Sequence, residues 1–329
     1  MLEHIDKTRF RGQKVGVVTG GTSSEREISL TTGRGFARAL QSLGYDTQVF
    51  DVPEDLDRLA EQRPAAVLLG LHGGAGENGV LQGFLEAMGV RYTGSGVLAS
   101  ALAMDKTRAK AVMHEAGVPT PRSVTLDGTG PLDFEAILAQ LDDAGVDLPV
   151  VAKPNDEGSS VGVYLCREEP DFAEALEALW EREVQAGSTA ILIEEFLDGP
   201  EYTVGFFDSE CLGSIEVVPG EEFYDFKAKY ESSETRYETI ADGGLKSRLE
   251  TLGRDAYNAV GCEGVARVDF KAKTTEGGLE LYALEVNTIP GMTPTSLVPK
   301  LAEHHGISFE EFTELMLASA SYRTDWSEE

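Results

Sequence analysis

The chain has 329 residues, a length that predicts two or three domains rather than one ordinary core. Hydrophobic residues make up 41% of it, which favours packed domains over disorder. The formal net charge is −29, from 57 acidic and 28 basic residues, so the surface should repel nucleic acid and anionic membranes, and we expect neither as a partner.

We expect neither a signal peptide nor a membrane-spanning helix. The N-terminus, MLEHIDKTRF, is charged and lacks the apolar segment of a signal peptide. No apolar run approaches the ~20 residues that span a bilayer. The cysteines are Cys166, Cys211 and Cys262, and their wide spacing is not that of metal ligands. We therefore expect a cytoplasmic protein with reduced thiols.

The acidic composition has two interpretations, an ordinary acidic enzyme or a protein adapted to a high-salt cytoplasm. Arg outnumbers Lys, and Lys is scarce for a soluble surface, which the second interpretation explains. Salt shortens the screening length from ~30 Å at about 0.01 M to ~3 Å at about 1 M. If self-repulsion destabilises the fold, the melting temperature should rise with KCl. A flat or falling melting temperature up to molar KCl would exclude adaptation to high salt.

The N-terminal third reads as an open α/β sheet, in which ligands bind at the strand ends. Buried strands are predicted at 15–19, 47–52 and 66–70. A glycine turn, GGTSS, follows the first strand and opens a helix in which Ser24 and Glu27 have the spacing of a capping box. The turn lacks the pattern G-x-G-x-x-G, so it does not indicate a dinucleotide site.

A second glycine-rich loop, HGGAGE, occupies residues 72–77 and precedes another helix. A single histidine at such a turn is usually structural. The flanking glycines allow a ligand to approach the backbone, however, so a role for His72 in a site stays open.

Two lysines in the middle of the chain indicate an anion site. Asp105 is predicted to cap a helix whose first turn contains Lys106, where the helix dipole favours an anion nearby, although a solvated lysine is the simpler interpretation. After a polar helical insertion at 127–149, a strand at 148–153 ends in Lys153.

The segment PNDEGSSVG follows that strand at residues 154–162. Its backbone N–H groups and the hydroxyls of Ser159 and Ser160 could bind phosphate oxygens. It is not a P-loop, because no G-K-[ST] opens a helix, and a mobile glycine hairpin is the alternative interpretation.

The next segments predict a nucleotide edge and a lid. A strand at 191–197 carries Glu194 and Glu195, and its edge could hold an adenine through backbone groups while a nearby glutamate takes the ribose hydroxyls. Residues 219–240 are charged, aromatic and without periodicity, which is uncommon in a compact domain unless the loop is functional. We interpret this loop as a lid, with a surface Ω-loop as the alternative.

Two late strands predict a cation site. In the strand at 264–270 Arg267 and Asp269 share one face, and in the strand at 281–287 Glu285 and Asn287 lie opposite the face formed by Tyr282, Leu284 and Val286. If the strands are antiparallel neighbours, two carboxylates and one amide converge. Such oxygen ligands suit Mg²⁺, which usually also takes substrate phosphates. A water-exposed sheet face is the alternative.

Taken together, the motifs resemble those of the D-alanine–D-alanine ligases, members of the ATP-grasp superfamily. The matching segments, in order, are GGTSSEREISL, LHGGAGENG, YTGSGVLASALAMDK, KPNDEGSSVG, FYDFKAKY, RVDF and LEVNTIPGMTPTSLVP. The resemblance covers about residues 15–312. It implies a three-domain α/β ATP-grasp fold, with an N-terminal open parallel-sheet domain at 1–98, a central domain at 99–193 and a C-terminal domain with lid and metal site at 194–329.

The resemblance also implies roles for residues that contact the D-alanines. A hydrogen-bonded set linking the N-terminal domain, the serine loop and the lid at the first D-alanine would be Glu25, Ser159 and Tyr230. The residue beside that alanine's carboxylate would be His72, and the pocket for the second alanine would include Ser296 and Leu297. The donors to the oxyanion would be Arg267 and the Gly291 N–H.

The remaining implied residues bind ATP and metal. The phosphates would be bound by Lys106, Lys153, Ser160 and Lys229. The adenine hinge would be Glu194 and Leu197, with Glu201 on the ribose. Two Mg²⁺ or Mn²⁺ ions would be held by Asp269, Glu285 and Asn287. The sequence departs from some members at Phe226, where they have Tyr, and at Asn78, where many have Asp.

The activity implied by the resemblance is ATP-dependent ligation of two D-alanines for peptidoglycan, through a D-alanyl phosphate, in a homodimer. Two alternatives remain. The same chemistry could use D-lactate or D-serine as acceptor, although the resemblance links those variants to changes at Tyr230 and Leu297. The protein could instead bind nucleotide without catalysis, which the intact set of metal and phosphate residues disfavours.

Overall fold

The computed structural model of the protein describes residues 2, 4–127, 131–158, 162–186, 190–218, 236–241, 243–293 and 296–324. Its described strands form one parallel sheet and two antiparallel sheets. None of the helices in these ranges combines the length and the apolar character needed to cross a membrane.

The N-terminal sheet is parallel, as predicted, with the strand order β2-β1-β3-β4. Its elements are β1 (Lys14–Gly20), α1 (Arg26–Ser42), β2 (Asp46–Val52), α2 (Leu56–Gln62), β3 (Ala66–Leu69), α3 (Val80–Met88) and β4 (Arg91–Tyr92). Val15 and Val17 of β1 are fully buried against Phe36 and Leu40 of α1. The helix therefore covers one face of the sheet and leaves the strand ends for the loops.

The predicted capping box at Ser24 is wrong. Helix α1 has Glu25 at its N-cap position, without a side-chain cap bond. The hydroxyl of the neighbouring Ser23 accepts a hydrogen bond from the Glu25 N–H at 3.2 Å. The same hydroxyl donates to the His72 carbonyl at 2.6 Å. A long-range contact between the two glycine loops thus replaces the local cap.

The second sheet is antiparallel, with the order β5-β8-β6-β7. It is built from β5 (Ser123–Leu126), α6 (Phe134–Asp143), β6 (Val150–Pro154), β7 (Tyr164–Cys166), α7 (Glu169–Ala186) and β8 (Ile191–Glu195). Ile137 of α6 and Phe172 of α7 share a core with Val150 and Ile193 of the sheet. Both helices cover one face, so the other face is available to a site.

The third sheet is antiparallel, with the order β11-β10-β9-β12-β13. Its strands and the helices that follow are β9 (Glu201–Phe207), β10 (Glu210–Val218), β11 (Arg236–Thr239), α8 (Gly244–Val260), β12 (Val265–Thr275), β13 (Gly278–Asn287), α9 (Leu297–His304) and α10 (Phe309–Ser319). Helix α10 returns to the N-terminal sheet, where Phe312 lies in the core that contains Phe36.

Two helices earlier in the chain, α4 (Val97–Met104) and α5 (Lys106–Glu115), pack against this third sheet. Ala103 and Met113 join the core formed by Val204, Val268 and helix α8. As predicted, the Asp105 side chain caps α5 by accepting the Arg108 N–H. The predicted boundaries at 98/99 and 193/194 stay predictions; the second of them falls within β8.

The prediction of an aperiodic loop over 219–240 is partly wrong. Residues 219–235 lie outside the described residues, but Arg236–Thr239 form the edge strand β11, paired antiparallel with β10. An edge strand is held by backbone hydrogen bonds on one side only, so it does not need the apolar alternation on which the prediction depended.

Candidate active site

A cleft with a volume of about 620 Å³ lies between the two antiparallel sheets. Strands β6 and β8 contribute to one wall, and β9, β12 and β13 to the other. The predicted site residues that line it are Lys106, Lys153, Glu194, Leu197, Glu201, Asp269 and Glu285. The structure thus brings together residues that are up to 179 positions apart in the chain.

The two strands of the predicted cation site are antiparallel neighbours, as predicted. Asp269 pairs with Glu285, and Arg267 pairs with Asn287. Asp269 is buried; it accepts a hydrogen bond from the Thr203 hydroxyl at 2.7 Å, and from the Arg267 guanidinium at 2.8 and 2.9 Å. On the other strand the Glu285 carboxylate lies 3.6 Å from Lys106 Nζ. Cations therefore already flank the two carboxylates.

The predicted faces of β13 are wrong for Tyr282 and Leu284, which do not share the core face of Val286. A β-bulge between the pairs Asp269–Glu285 and Phe270–Ala283 inserts one residue, Leu284, on β13. Because an extra residue shifts the alternation, Ala283 and Val286 both lie in the core, whereas Leu284 lines the cleft beside Glu285. An apolar side chain therefore lies next to the carboxylates.

The donor set fits a hard cation. It consists of two carboxylates and the amide oxygen of Asn287, which accepts the Ile289 N–H at 3.0 Å and retains a second lone pair. Across the described residues no group of three or more His, Cys, Asp or Glu side chains has the arrangement of a metal site. A cation at Asp269 and Glu285 would therefore need ligands beyond protein carboxylates, such as phosphates and water, as Mg²⁺ usually does.

Glu194 lies at the floor of the cleft between two lysines. One carboxylate oxygen contacts Lys153 Nζ and the other contacts Lys110 Nζ, and all three side chains are buried. Burial alone would raise the pKa of Glu194, but the charges of Lys110 and Lys153 outweigh it and lower that pKa to about 2. Glu194 is thus ionised at neutral pH.

Lys110 was not predicted as a site residue. It lies four residues after Lys106 in helix α5, so the two lysines share one helix face. That spacing was the available signal in the sequence. Lys271 was missed as well, although it shares a strand face with Asp269; its Nζ lies 3.7 Å from the Glu201 carboxylate, and both residues line the cleft.

Glu25 lies between two glycine loops. A Cβ atom at Gly73 or at Gly158 would lie 2.8 Å from its Oε2, so a larger residue at either position would displace the carboxylate. Gly158 immediately precedes Ser159, so Glu25 lies close to the loop on which the predicted set depends. The predicted residues of the serine loop, Ser159 and Ser160, and those of the lid, Lys229 and Tyr230, lie outside the described residues, and their roles stay predictions.

His72 connects the N-terminal sheet to the segment after β13. Its Nδ1 lies 3.0 Å from the Ile289 carbonyl, which can only accept, so Nδ1 donates there. Its Nε2 lies 2.9 Å from the Thr32 hydroxyl. The ring is buried, and both nitrogens contact protein groups. The predicted contact of His72 with a substrate carboxylate stays a prediction.

The segment that His72 contacts at Ile289 continues to Gly291, Ser296 and Leu297. A Cβ atom at Gly291 would lie 3.2 Å from the Ser296 hydroxyl, so glycine keeps this approach open. That hydroxyl accepts the Thr293 N–H at 3.1 Å. Leu297 packs against the core that includes Val298 and Leu301. Gly291 thus lies close to Ser296, and Ser296 and Leu297 are at the start of α9.

Comparison with known proteins decides the family. A family model described as D-ala D-ala ligase C-terminus matches residues 112–318, more than half of the chain. The protein from Geobacter sulfurreducens named D-alanine–D-alanine ligase is 43% identical over 324 residues, which cover 97% of this chain and 98% of the relative. The chain belongs to the D-alanine–D-alanine ligase family.

Other D-alanine–D-alanine ligases agree. The protein of that name from Geotalea uraniireducens is 42% identical over 318 residues, covering 95% of this chain and 97% of its own. The crystal structure of the Bacillus anthracis ligase complexed with ATP has a TM-score of 0.79 and 31% identity, over 94% of this chain and 97% of that one. The predicted family and α/β fold are therefore confirmed.

Proposed function

We propose that this member of the D-alanine–D-alanine ligase family joins two D-alanines in the cytoplasm, with conversion of ATP to ADP and phosphate, to supply peptidoglycan synthesis. The observation that carries the proposal is the cleft in which Lys153 on β6 faces Asp269 and Glu285 of the third sheet, while Lys106 lies 3.6 Å from Glu285. The lysines suit a triphosphate, and the carboxylates suit the metal ions that accompany it. The crystal structure of the Bacillus anthracis ligase, which is complexed with ATP, supports ATP as the nucleotide.

ATP would bind with its adenine at the end of β8. Leu197 follows that strand and offers backbone groups to the base, beside the side chain of Glu194. Glu201, which begins β9, would accept the ribose hydroxyls. The triphosphate would then extend toward Lys106 and Lys153, with Ser160 and Lys229 as further ligands.

Asp269, Glu285 and Asn287 would hold two Mg²⁺ or Mn²⁺ ions. Bound there, the ions would supply positive charge that offsets the repulsion between the triphosphate and a carboxylate substrate. Arg267 fixes the Asp269 carboxylate by two hydrogen bonds, so the ligand is oriented before the substrates bind.

In the first step a carboxylate oxygen of one D-alanine attacks the γ-phosphorus of ATP, which releases ADP and leaves a D-alanyl phosphate. In the second, the neutral amine of the other D-alanine attacks the acyl carbon, and inorganic phosphate leaves. Negative charge develops on the acyl oxygen, where Arg267 and the Gly291 N–H would donate, usually the largest catalytic contribution. A closed lid would protect the acyl phosphate from water.

The substrate carboxylates and methyl groups need their own contacts. Glu25, Ser159 and Tyr230 would fix the first D-alanine, with His72 beside its carboxylate. Ser296 and Leu297 would form the pocket of the second. The position of Glu25 close to Gly158 supports the first group, and the position of Ser296 close to Gly291 supports the second.

The test of this proposal is ADP release with ATP, Mg²⁺ and D-alanine. We expect ADP that depends on D-alanine and an equal amount of the dipeptide. Nucleotide binding without D-alanine-dependent ADP release would instead support a protein that binds nucleotide without catalysis.

We further predict that the acceptor is D-alanine rather than D-lactate near neutral pH. A tyrosine has an ordinary pKa of about 10, so Tyr230 would remain neutral and offer no positive charge to favour a lactate carboxylate over a zwitterion. Leu297 would add an apolar wall that fits a methyl group. The measurement is competition between equal D-alanine and D-lactate at about pH 7, and a depsipeptide as major product would contradict the assignment.

We also propose a homodimer, as the resemblance implies. Val80, Val97 and Leu98 are 63%, 41% and 73% exposed, and they lie at the adjoining N-terminal ends of α3 and α4, where a Cβ at Gly79 would lie 2.7 Å from the Val97 carbonyl. Neighbouring exposed apolar side chains support a contact between copies of the chain. Light scattering should give the mass of two chains for the wild type; the mass of one chain would contradict the proposal.

A further inference from the structure

Three buried charged groups meet where α5, β6 and β8 pack together. Lys110, Lys153 and Glu194 are 5%, 8% and 3% exposed. Each carboxylate oxygen of Glu194 contacts a different ammonium group, Oε1 that of Lys110 and Oε2 that of Lys153. The cluster therefore holds two cations on one anion.

The two lysines differ in their access to the cleft. Lys153 and Glu194 line it, whereas Lys110 lies behind Glu194 and does not. An incoming polyphosphate can thus reach Lys153 but not Lys110. Lys153 can therefore leave the cluster toward the cleft, whereas Lys110 remains with Glu194.

The charge arrangement decides whether Lys153 can leave. If Lys110 were absent, moving Lys153 from Glu194 to a phosphate would leave a buried carboxylate without a partner, which is strongly unfavourable. With Lys110 in place, Glu194 keeps one buried cation after the move. Burial lowers the pKa of Lys110, and Glu194 opposes that shift. The carboxylate thus helps to keep Lys110 charged in its buried position.

We propose that Lys110 is a positioning residue, which holds Glu194 so that Lys153 can move from that carboxylate to the phosphates of the nucleotide. This inference rests on the proposed function, because it takes Lys153 as a phosphate ligand. Lys110 itself touches neither the substrate nor the metal ligands in this assignment.

The test compares ATP with adenosine, which lacks the phosphates. In Lys110→Met, Lys153 should stay on Glu194, so we expect ATP affinity to fall at least about tenfold, ~1.4 kcal/mol, while adenosine affinity is unchanged. Equilibrium titration of both ligands gives the ratio of the two affinities. A ratio of ATP affinity to adenosine affinity equal to that of the wild type would overturn the proposal. If both affinities fell by the same factor, Lys110 would have a merely structural role.

The matched control is Lys273→Met. Lys273 pairs at 2.9 Å with Glu195, the residue next to Glu194 on β8, and Glu195 also retains Arg122 at 2.9 Å. We expect this variant to keep the wild-type ratio. If the wild-type protein bound ATP no better than adenosine, the proposed function itself would be contradicted. If the wild type preferred ATP and Lys110→Met kept that preference, only the role of Lys110 would be contradicted.

A second variant keeps the test decisive if Lys110→Met does not fold. Lys110→Met combined with Glu194→Gln removes one positive and one negative charge, so the cluster keeps its net charge and Lys153 has no carboxylate to hold it. Any loss at the adenine affects ATP and adenosine equally and cancels in the ratio. We expect the wild-type ratio in this double variant, and a lost preference for ATP would overturn the proposal.

Discussion

Replacing Glu285 with alanine is expected to abolish measurable turnover, with a loss of at least about 10²-fold, the scale on which the removal of one transition-state electrostatic contact is measured. Glu285 pairs with Asp269 across two strands and lines the cleft beside Lys106, so its removal leaves one carboxylate for the metal. The measurement is steady-state ADP release as a function of Mg²⁺ concentration.

The fold should survive this change, because Glu285 lies on the cleft face of β13 and not in the core. The control is Glu280→Ala on the same strand, since Glu280 is exposed and accepts a hydrogen bond from the Tyr282 hydroxyl at 2.9 Å. Unaltered melting temperatures would show that both variants are folded. Full activity of folded Glu285→Ala in limiting Mg²⁺ would remove Glu285 from the metal site.

Replacing Arg267 with lysine is expected to lower kcat by about 10²–10³-fold, the range found when one donor to a developing oxyanion is lost. Lysine keeps the positive charge but not the planar fork that holds Asp269 through Nε and Nη2. The variant thus separates geometry from charge. The measurement is kcat, with the melting temperature as a check of folding.

Arg248→Lys is the matched control for this variant. Arg248 is exposed on helix α8, and its guanidinium donates to the Leu279 carbonyl away from the cleft. We expect its kcat to equal that of the wild type. If Arg267→Lys kept more than about a tenth of the wild-type kcat, the oxyanion would not need the planar guanidinium of Arg267.

The sequence by itself determined the local parts of the site. Alternation along two strands places Asp269 with Arg267 and Glu285 with Asn287, and the structure pairs them across β12 and β13. Asp105 was predicted to cap α5 because a cap depends on residues three apart. The ordered motifs identified the family, because each motif is continuous in the chain and can be recognised without knowledge of the fold.

The tertiary structure decided the contacts between distant segments. Lys110 and Glu194 are 84 positions apart, and the His72 ring contacts the Ile289 carbonyl across 217 positions. No local pattern contains such pairs, because their partners are set by how α5 and the loop after β3 pack against the sheets. The same holds for the turn before α1, where the predicted cap at Ser24 is absent and the Ser23 hydroxyl donates to the His72 carbonyl of another loop.

The bulge at Leu284 shows the physical reason most directly. Strand alternation has a period of two only while the ladder is regular, and one inserted residue reverses the face of everything on one side of it. The prediction therefore placed Glu285 and Asn287 correctly at the Arg267 end of the ladder, but placed Tyr282 and Leu284 on the wrong face. Where an extra residue enters a ladder is decided by both strands together, and only the folded chain brings them side by side.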